Sequence, residues 1–92
     1  MVEEEQRAYP RFDAIYPVTI DTLKGIEHAE TKNMSAGGAF ICCETLHEPE
    51  DILQLTIELP TGNPLHLAAR VIWLSDCNNK MKPSGMGVHF EL

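Results

Sequence analysis

Residues 51–74 read DILQLTIELPTGNPLHLAARVIWL, with apolar side chains at every second position on both sides of a central turn. Before the turn these positions hold Leu53, Leu55, Ile57 and Leu59. After the turn they hold Leu65, Leu67, Ala69, Val71 and Trp73. A period of two is typical of β-strands with one buried face, and the intervening PTGNP is rich in turn-forming residues. The stretch therefore predicts a β-hairpin whose alternating apolar side chains, Trp73 included, face a core.

Four further segments are predicted as strands. They are YPVTIDT at 16–22, IEHAETKNM at 26–34, GAFICC at 38–43 and MGVHFEL at 86–92. Gly25 lies in the tight turn between the first two, where a positive φ is expected. No segment has an apolar period of 3.6, so no helix is predicted. About six short strands separated by turns are typical of a small all-β barrel or sandwich.

The chain has 92 residues, 43% of them hydrophobic, which is enough for one modest core. We divide it into an acidic N-terminal segment with two arginines, residues 1–12, and a barrel, residues 13–92. The formal net charge of -7 argues against a general DNA- or RNA-binding protein, which needs a basic surface. The sequence has no recognisable signal peptide and no apolar run long enough for membrane insertion, so a cytoplasmic location is expected.

The cysteines and histidines are the candidate redox and metal-binding groups. Cys42 and Cys43 are adjacent, Cys77 stands alone, and no CxxC is present. This spacing predicts three free thiols in a reducing cytoplasm and no metal site or cofactor. The histidines are scattered and are expected on half-exposed strand faces; they are His28, His47, His66 and His89. No nucleophile–base pair or carboxylate pair is recognisable, so the protein is not expected to be an enzyme.

An arginine pair precedes the first strand. Residues 6–12 read QRAYPRF and contain Arg7 and Arg11, two of only three arginines in the chain. A guanidinium donates two parallel hydrogen bonds to a phosphate or to the O6 and N7 edge of guanine, and it also stacks on base planes. Alone, the stretch is equally typical of a solvated tail.

A second motif lies within TKNMSAGGAFI, residues 31–41. The Asn33 amide can both donate to and accept from a base edge, and the Ser35 hydroxyl can bind a phosphate oxygen. Gly38 would let a ligand approach the backbone closely. The same residue types also form ordinary turns, so this motif alone does not decide the function.

The two motifs in this order, R-x-x-x-R and then N-x-S-x-x-G before an apolar strand, resemble the PilZ domain family. RFDAIYPVTI, ARVIW and GMGVHFEL resemble strands of that family, so the resemblance covers nearly the whole chain. It implies a six-stranded antiparallel β-barrel that binds cyclic di-GMP, a bacterial second messenger. The resemblance implies that Arg7 and Arg11 contact phosphate and guanine, and that Asn33 contacts the guanine edge. It implies that Ser35 contacts phosphate or base, and that Gly38 lets the ligand approach closely.

The chain departs from the family pattern at two points. Many members have a further arginine where this chain has Gln6, which bears on affinity and on whether one or two ligand molecules bind. Members often continue into a C-terminal helix, which is expected to be absent or trimmed here. The expected mechanism is that the ligand bridges the arginines to the barrel and orders the N-terminal segment, whose changed surface a downstream protein partner or adjacent domain reads.

Three other interpretations remain open from the sequence. A PilZ-like interaction module in motility or pilus assembly would not bind the nucleotide, although such members typically lack the motif arginines. A small oligonucleotide-binding barrel would need exposed aromatic side chains and a basic groove. Most aromatic residues here are expected on inward strand positions. The third is a barrel of another small type with no assigned role.

Overall fold

A computed structural model describes residues 12–78 and 80–91. These residues form seven strands: β1 (Phe12–Asp13), β2 (Pro17–Thr22), β3 (Gly25–Met34), β4 (Gly38–Cys43), β5 (Ile52–Glu58), β6 (Pro64–Asp76) and β7 (Ser84–Glu91). The described part of the chain contains no helix, and so no helix long and apolar enough to cross a membrane.

Six of the strands close into an antiparallel β-barrel. The hydrogen-bonded order is β3-β2-β5-β6-β7-β4, and β4 pairs back with β3 to complete the ring. Closure gives each of these six strands a partner on both sides, so none of the six is an edge strand. The short β1 is an additional strand that pairs with the end of β3. The six-stranded barrel predicted from the sequence is confirmed, with β1 as an extra element.

The alternating apolar residues fill the barrel interior. The largest fully buried apolar side chains, apart from Cys43, come from β2, β4, β5, β6 and β7: Val18, Ile20, Ile41, Leu55, Ile57, Val71 and Met86. Burying one such aliphatic side chain stabilises the fold by roughly 1.5–3 kcal/mol. Gly25 has a φ of 126°, which confirms the tight turn predicted between β2 and β3.

Trp73 does not face this core, so its predicted inward position is wrong. The register of β6 against β7 shifts between Val71, opposite Val88, and Trp73, opposite Gly87. Two residues of β6 therefore oppose one of β7, which is a β-bulge and turns the following side chain to the other face. The indole is 42% exposed and stacks on the ring of Phe40 with centroids 5.2 Å apart.

Two of the three cysteines form a disulfide, so the prediction of three free thiols is wrong for Cys42 and Cys77. Neighbouring side chains in a strand point to opposite faces. Cys43 therefore faces the core as a free thiol, while Cys42 faces outward beside Phe40, where the chain after β6 brings Cys77. The two bonded residues are separated by 35 positions, and their Cα atoms lie 5.9 Å apart. Spacing along the chain gave no sign of this pairing.

Candidate functional site

The N-x-S-x-x-G motif forms the turn between β3 and β4, and Ser35 organises that turn. Its hydroxyl accepts hydrogen bonds from the backbone N–H groups of Gly37 and Gly38, each at 3.2 Å. Its own N–H donates to the carbonyl of Gly38 at 2.9 Å. A hydroxyl has two acceptor lone pairs, and both are used within the turn. The buried serine therefore fixes the shape of the loop from which the rest of the motif projects.

Gly38 is required by the barrel itself. A Cβ at this position would overlap with the carbonyl oxygen of Val88 in β7. Phe90 in the same strand donates its N–H to the carbonyl of Gly37 at 2.9 Å. The close approach that glycine permits here is between β4 and β7, whatever further contact a ligand makes.

Asn33 lies near the end of β3, half-buried, between two strands. It is opposite Asp13 of β1 on one side and Phe40 of β4 on the other. The register of β3 against β4 shifts between Thr31 and Asn33. Such a bulge re-aims the side chains that follow it, so it sets the direction in which the asparagine projects.

The first described residues of the chain lie beside this loop. Arg7 and Arg11 both lie outside the described residues. Phe12, which follows Arg11 in the sequence, is opposite Met34, and Asp13 is opposite Asn33. The described part of the chain therefore begins next to the N-x-S-x-x-G turn.

Thr31 holds this connection in place and was missed by the sequence reasoning. Its hydroxyl donates to the carbonyl of Ala14 at 2.6 Å and accepts from the N–H of Tyr16 at 2.8 Å. These two groups lie in the irregular segment between β1 and β2. The side chain is fully buried, and a buried polar side chain that satisfies backbone groups on another segment fixes that segment's position. In the sequence Thr31 stands between Glu30 and Lys32, so no pattern distinguished it from its polar neighbours.

Arg70, the third arginine, is already engaged on the outer wall. Its Nε donates to Glu91 Oε2 at 3.0 Å, and its Nη1 donates to Glu50 Oε1 at 3.0 Å. The hydrogen bonds that Arg70 donates to Glu91, and to a lesser extent to Glu50, raise the pKa of Arg70. The same contact with Arg70 lowers the pKa of Glu91. Arg70 therefore serves the wall of the barrel and is not a candidate ligand contact.

A second polar cluster lies at the opposite end of β3. The Nε2 atom of His47 is 2.9 Å from Oε1 of Glu27, and the thiol of Cys43 lies beside them. Burial first, and then the negative charge of Glu27, raise the pKa of the Cys43 thiol to about 12. Among the described residues this is a set of three side chains close enough together to hold a metal ion.

Comparison with solved structures places the barrel among known folds. It matches the inhibitor of motility MotI (DgrA) of Bacillus subtilis with a TM-score of 0.80 and 23% identity, over 95% of this chain and 43% of that one. It matches the PilZ domain of Escherichia coli YcgR, solved with c-di-GMP, with a TM-score of 0.75 and 18% identity, over 92% of this chain and 77% of that one. It matches a crystal structure of Escherichia coli YcgR in complex with c-di-GMP with a TM-score of 0.76 and 17% identity, over 94% of this chain and 38% of that one.

These likenesses concern the fold, and this chain spans less than half the length of MotI and of the longer YcgR structure. Comparison with curated protein sequences found no significant match. The sequence does match a family, the PilZ domain, over residues 5–92, a span that includes both motifs. With a closed six-stranded barrel and the N-x-S-x-x-G turn at its β3–β4 end, the chain belongs to the PilZ domain family.

Proposed function

We propose that this chain is a receptor module, not an enzyme, that binds cyclic di-GMP between the arginine motif and the β3–β4 turn. The observation that carries the proposal is the pairing of Phe12 and Asp13 with Met34 and Asn33. It brings Phe12 and Asp13, which follow Arg11 in the sequence, beside the second motif, and this supports a single site for two motifs that about twenty residues separate. PilZ membership over residues 5–92 supports the choice of ligand, as does the c-di-GMP in the YcgR structures.

The proposed contacts follow the chemistry of each side chain. Arg7 and Arg11 donate to phosphate and guanine, and Asn33 reads a guanine edge. Ser35 and Gly38 present the turn, so that a ligand meets a preformed loop. A direct contact from Ser35 to a phosphate oxygen uses the hydroxyl proton, which is donated within the turn to the carbonyl of Gly38 at 3.4 Å, so that bond would be exchanged for the ligand.

The proposed output is a changed conformation of the N-terminal segment. Ligand bridging would draw residues 1–12 against the barrel, and a protein partner or neighbouring domain would read that surface. Differential affinity of the ligand for the two conformations is the driving force. We place the module in the cytoplasm. The compartment is reducing, and structural disulfides are rare there, so Cys42 and Cys77 would spend much of their time as thiols.

Calorimetric titration with cyclic di-GMP tests the proposal. We expect binding by the wild-type chain, and Arg7→Ala or Arg11→Ala to weaken it about 5- to 150-fold, the range for losing one bidentate guanine contact. Arg70→Ala is the matched control, because it removes the third arginine but lies outside the proposed site, and it should bind as wild type does. The measured stoichiometry decides between one ligand molecule and two, the question that Gln6 raises.

A protein-interaction module that does not bind the nucleotide is the alternative, and one surface favours it. Ile72 and Trp73 are adjacent on β6 and are 49% and 42% exposed. Large apolar side chains exposed together often mark a protein contact. Absence of any cyclic di-GMP binding by the folded wild-type chain would reject the receptor and leave this alternative.

A further inference from the structure

Glu27, Cys43 and His47 come from two separate parts of the chain and meet at one end of the barrel. Glu27 is near the start of β3, Cys43 ends β4, and His47 lies in the loop that follows. Their donor atoms, a carboxylate oxygen, the thiol sulfur and an imidazole nitrogen, all lie within 4.8 Å of one another. The spacing in sequence had indicated no chelating set, because only the pairing of β3 with β4 assembles it.

The glutamate is already oriented as a ligand would be. Its Oε2 accepts hydrogen bonds from the backbone N–H groups of Glu44 at 3.1 Å and Thr45 at 2.8 Å. Those bonds leave Oε1 directed at His47. Ligating carboxylates are commonly held by hydrogen bonds of this kind, which fix their orientation for the metal.

The distances suit a tetrahedral zinc ion. Zinc bonds of about 2.0–2.1 Å to nitrogen or oxygen and 2.3 Å to sulfur place neighbouring ligand atoms about 3.3–3.6 Å apart. The three donors here are separated by 2.9 Å, between Glu27 and His47, up to no more than 4.8 Å. Movements of about an ångström or less, made chiefly by the His47 ring in its loop, bring all three to bonding distance.

Charge and donor type select the same ion. A thiolate, an imidazole and a carboxylate are all ordinary zinc ligands, whereas magnesium and calcium prefer oxygen alone. Zinc binding displaces the proton of the Cys43 thiol, which is released to solvent. The resulting thiolate and the carboxylate carry two negative charges, which the divalent ion neutralises. That balance matters because the Cys43 side chain is buried and those of His47 and Glu27 are only 9% and 11% exposed, where an uncompensated charge is costly.

An open cleft leads to the cluster. A cavity of about 750 Å³ is lined by Glu27 and His47 together with the hairpin of β2 and β3 and the start of β5. It gives an ion a route from solvent and leaves room for a water molecule as fourth ligand. Three protein ligands with one open position is the arrangement of zinc sites that exchange a ligand.

We propose that Glu27, Cys43 and His47 form a zinc-binding site at the end of the barrel opposite the cyclic di-GMP motifs. The zinc ion ties the loop after β4 to β3. Glu27 and Asn33 are six residues apart on β3, roughly 20 Å at strand rise, so this site is distinct from the nucleotide site. The proposal stands whether or not the nucleotide binds.

Zinc binding to the untagged, chelator-treated 92-residue chain tests the proposal. The protein is kept oxidised, so that Cys42 and Cys77 remain in their disulfide and Cys43 is the available thiol. Competition with a chromophoric chelator should give one zinc ion per chain. Cobalt substituted for zinc should show thiolate-to-metal charge-transfer absorption. His47→Gln should weaken zinc binding at least about 10-fold, the lower range even for losing an outer-shell partner of a metal ligand.

His66→Gln is the matched control, because His66 shares a hydrogen bond with Thr56 on the outer wall, away from the cluster, and its replacement should leave zinc affinity unchanged. Cys43→Ala should abolish the cobalt charge-transfer band. If the Cys43→Ala variant fails to fold, His47→Gln still tests the zinc site, because His47 lies in a loop. Circular dichroism checks that the His47→Gln variant is folded. The proposal is overturned if the wild type binds no zinc, if His47→Gln binds as tightly as wild type, or if cobalt binds without a thiolate band.

Discussion

The Thr31 hydroxyl fixes the segment that leads to the proposed cyclic di-GMP site, although Thr31 is not one of the proposed ligand contacts. It bridges Ala14 and Tyr16, the backbone groups that join the arginine motif to the barrel. We predict that Thr31→Val, which keeps the side-chain shape, lowers the free energy of unfolding by about 1–3 kcal/mol, because both groups lose a buried partner. It should also weaken cyclic di-GMP binding. Urea denaturation and calorimetry measure the two effects.

The control for Thr31 is another threonine on the same barrel. Thr56 bonds His66 on the outer wall and satisfies no backbone group across the fold. Thr56→Val should change stability by no more than about 0.5 kcal/mol, as most surface substitutions do. Equal losses for the two variants would show that Thr31 has no special place in the connection.

A substitution at Gly38 is expected to disturb the fold as well as the proposed ligand site. Its α-carbon faces the carbonyl oxygen of Val88, a backbone atom that cannot rotate away. We predict that Gly38→Ala destabilises the fold by about 1–3 kcal/mol through overpacking, measured by urea denaturation without nucleotide. Ala36→Ser, in the exposed part of the same turn, should leave stability unchanged. If Gly38→Ala is as stable as wild type, β7 tolerates the extra carbon and loss of nucleotide binding could be read as a lost contact.

At the scale of elements, the disulfide fastens the segment after β6 to the outer face of β4. Closing a loop of 35 residues stabilises the fold by up to about 3–4 kcal/mol on the chain-entropy account. We predict that reductant lowers the thermal midpoint of the wild type and changes the fluorescence of Trp73. This single tryptophan stacks on Phe40, which packs with Cys42 and Cys77.

Cys77→Ser separates the bond from other effects of reductant. The variant should match the reduced wild type, and reductant should not change it further. A wild type whose midpoint and fluorescence ignore reductant would mean that the bond does not form in solution.

Patterns within one element could be predicted from the sequence, whereas contacts between elements could not. Alternation in DILQLTIEL predicts which face of β5 is buried, because one face contacts the core and the other contacts solvent. The bulge that turns Trp73 outward has no such signature, since it depends on how β6 meets Gly85 and Gly87 across the sheet. The disulfide, the Thr31 bridge and the Glu27 cluster depend likewise on strand pairing between distant segments. The nucleotide motifs were readable because their residues are unusual in type and order, and their roles stay predictions.

At the scale of the whole molecule, closure of the barrel couples strands that do not pair with one another. Asn33 lies on β3, which pairs with β1, β2 and β4. Trp73 lies on β6, which pairs with β5 and β7, and its ring stacks on Phe40, the residue of β4 opposite Asn33. A single small domain usually unfolds in one cooperative step, so stabilisation at β3 should also appear at β6.

We therefore predict that cyclic di-GMP raises the unfolding temperature equally when followed by Trp73 fluorescence and by far-ultraviolet circular dichroism. At a ligand concentration 100 times Kd the gain is about 2.7 kcal/mol, or about 10–20 °C for a domain of this size. Arg11→Ala should remove most of the shift in both signals, and Arg70→Ala should retain it. A shift seen by circular dichroism but not by Trp73 would mean that the ligand stabilises only the β1–β3 region, and the output would then be local ordering without any change across the barrel.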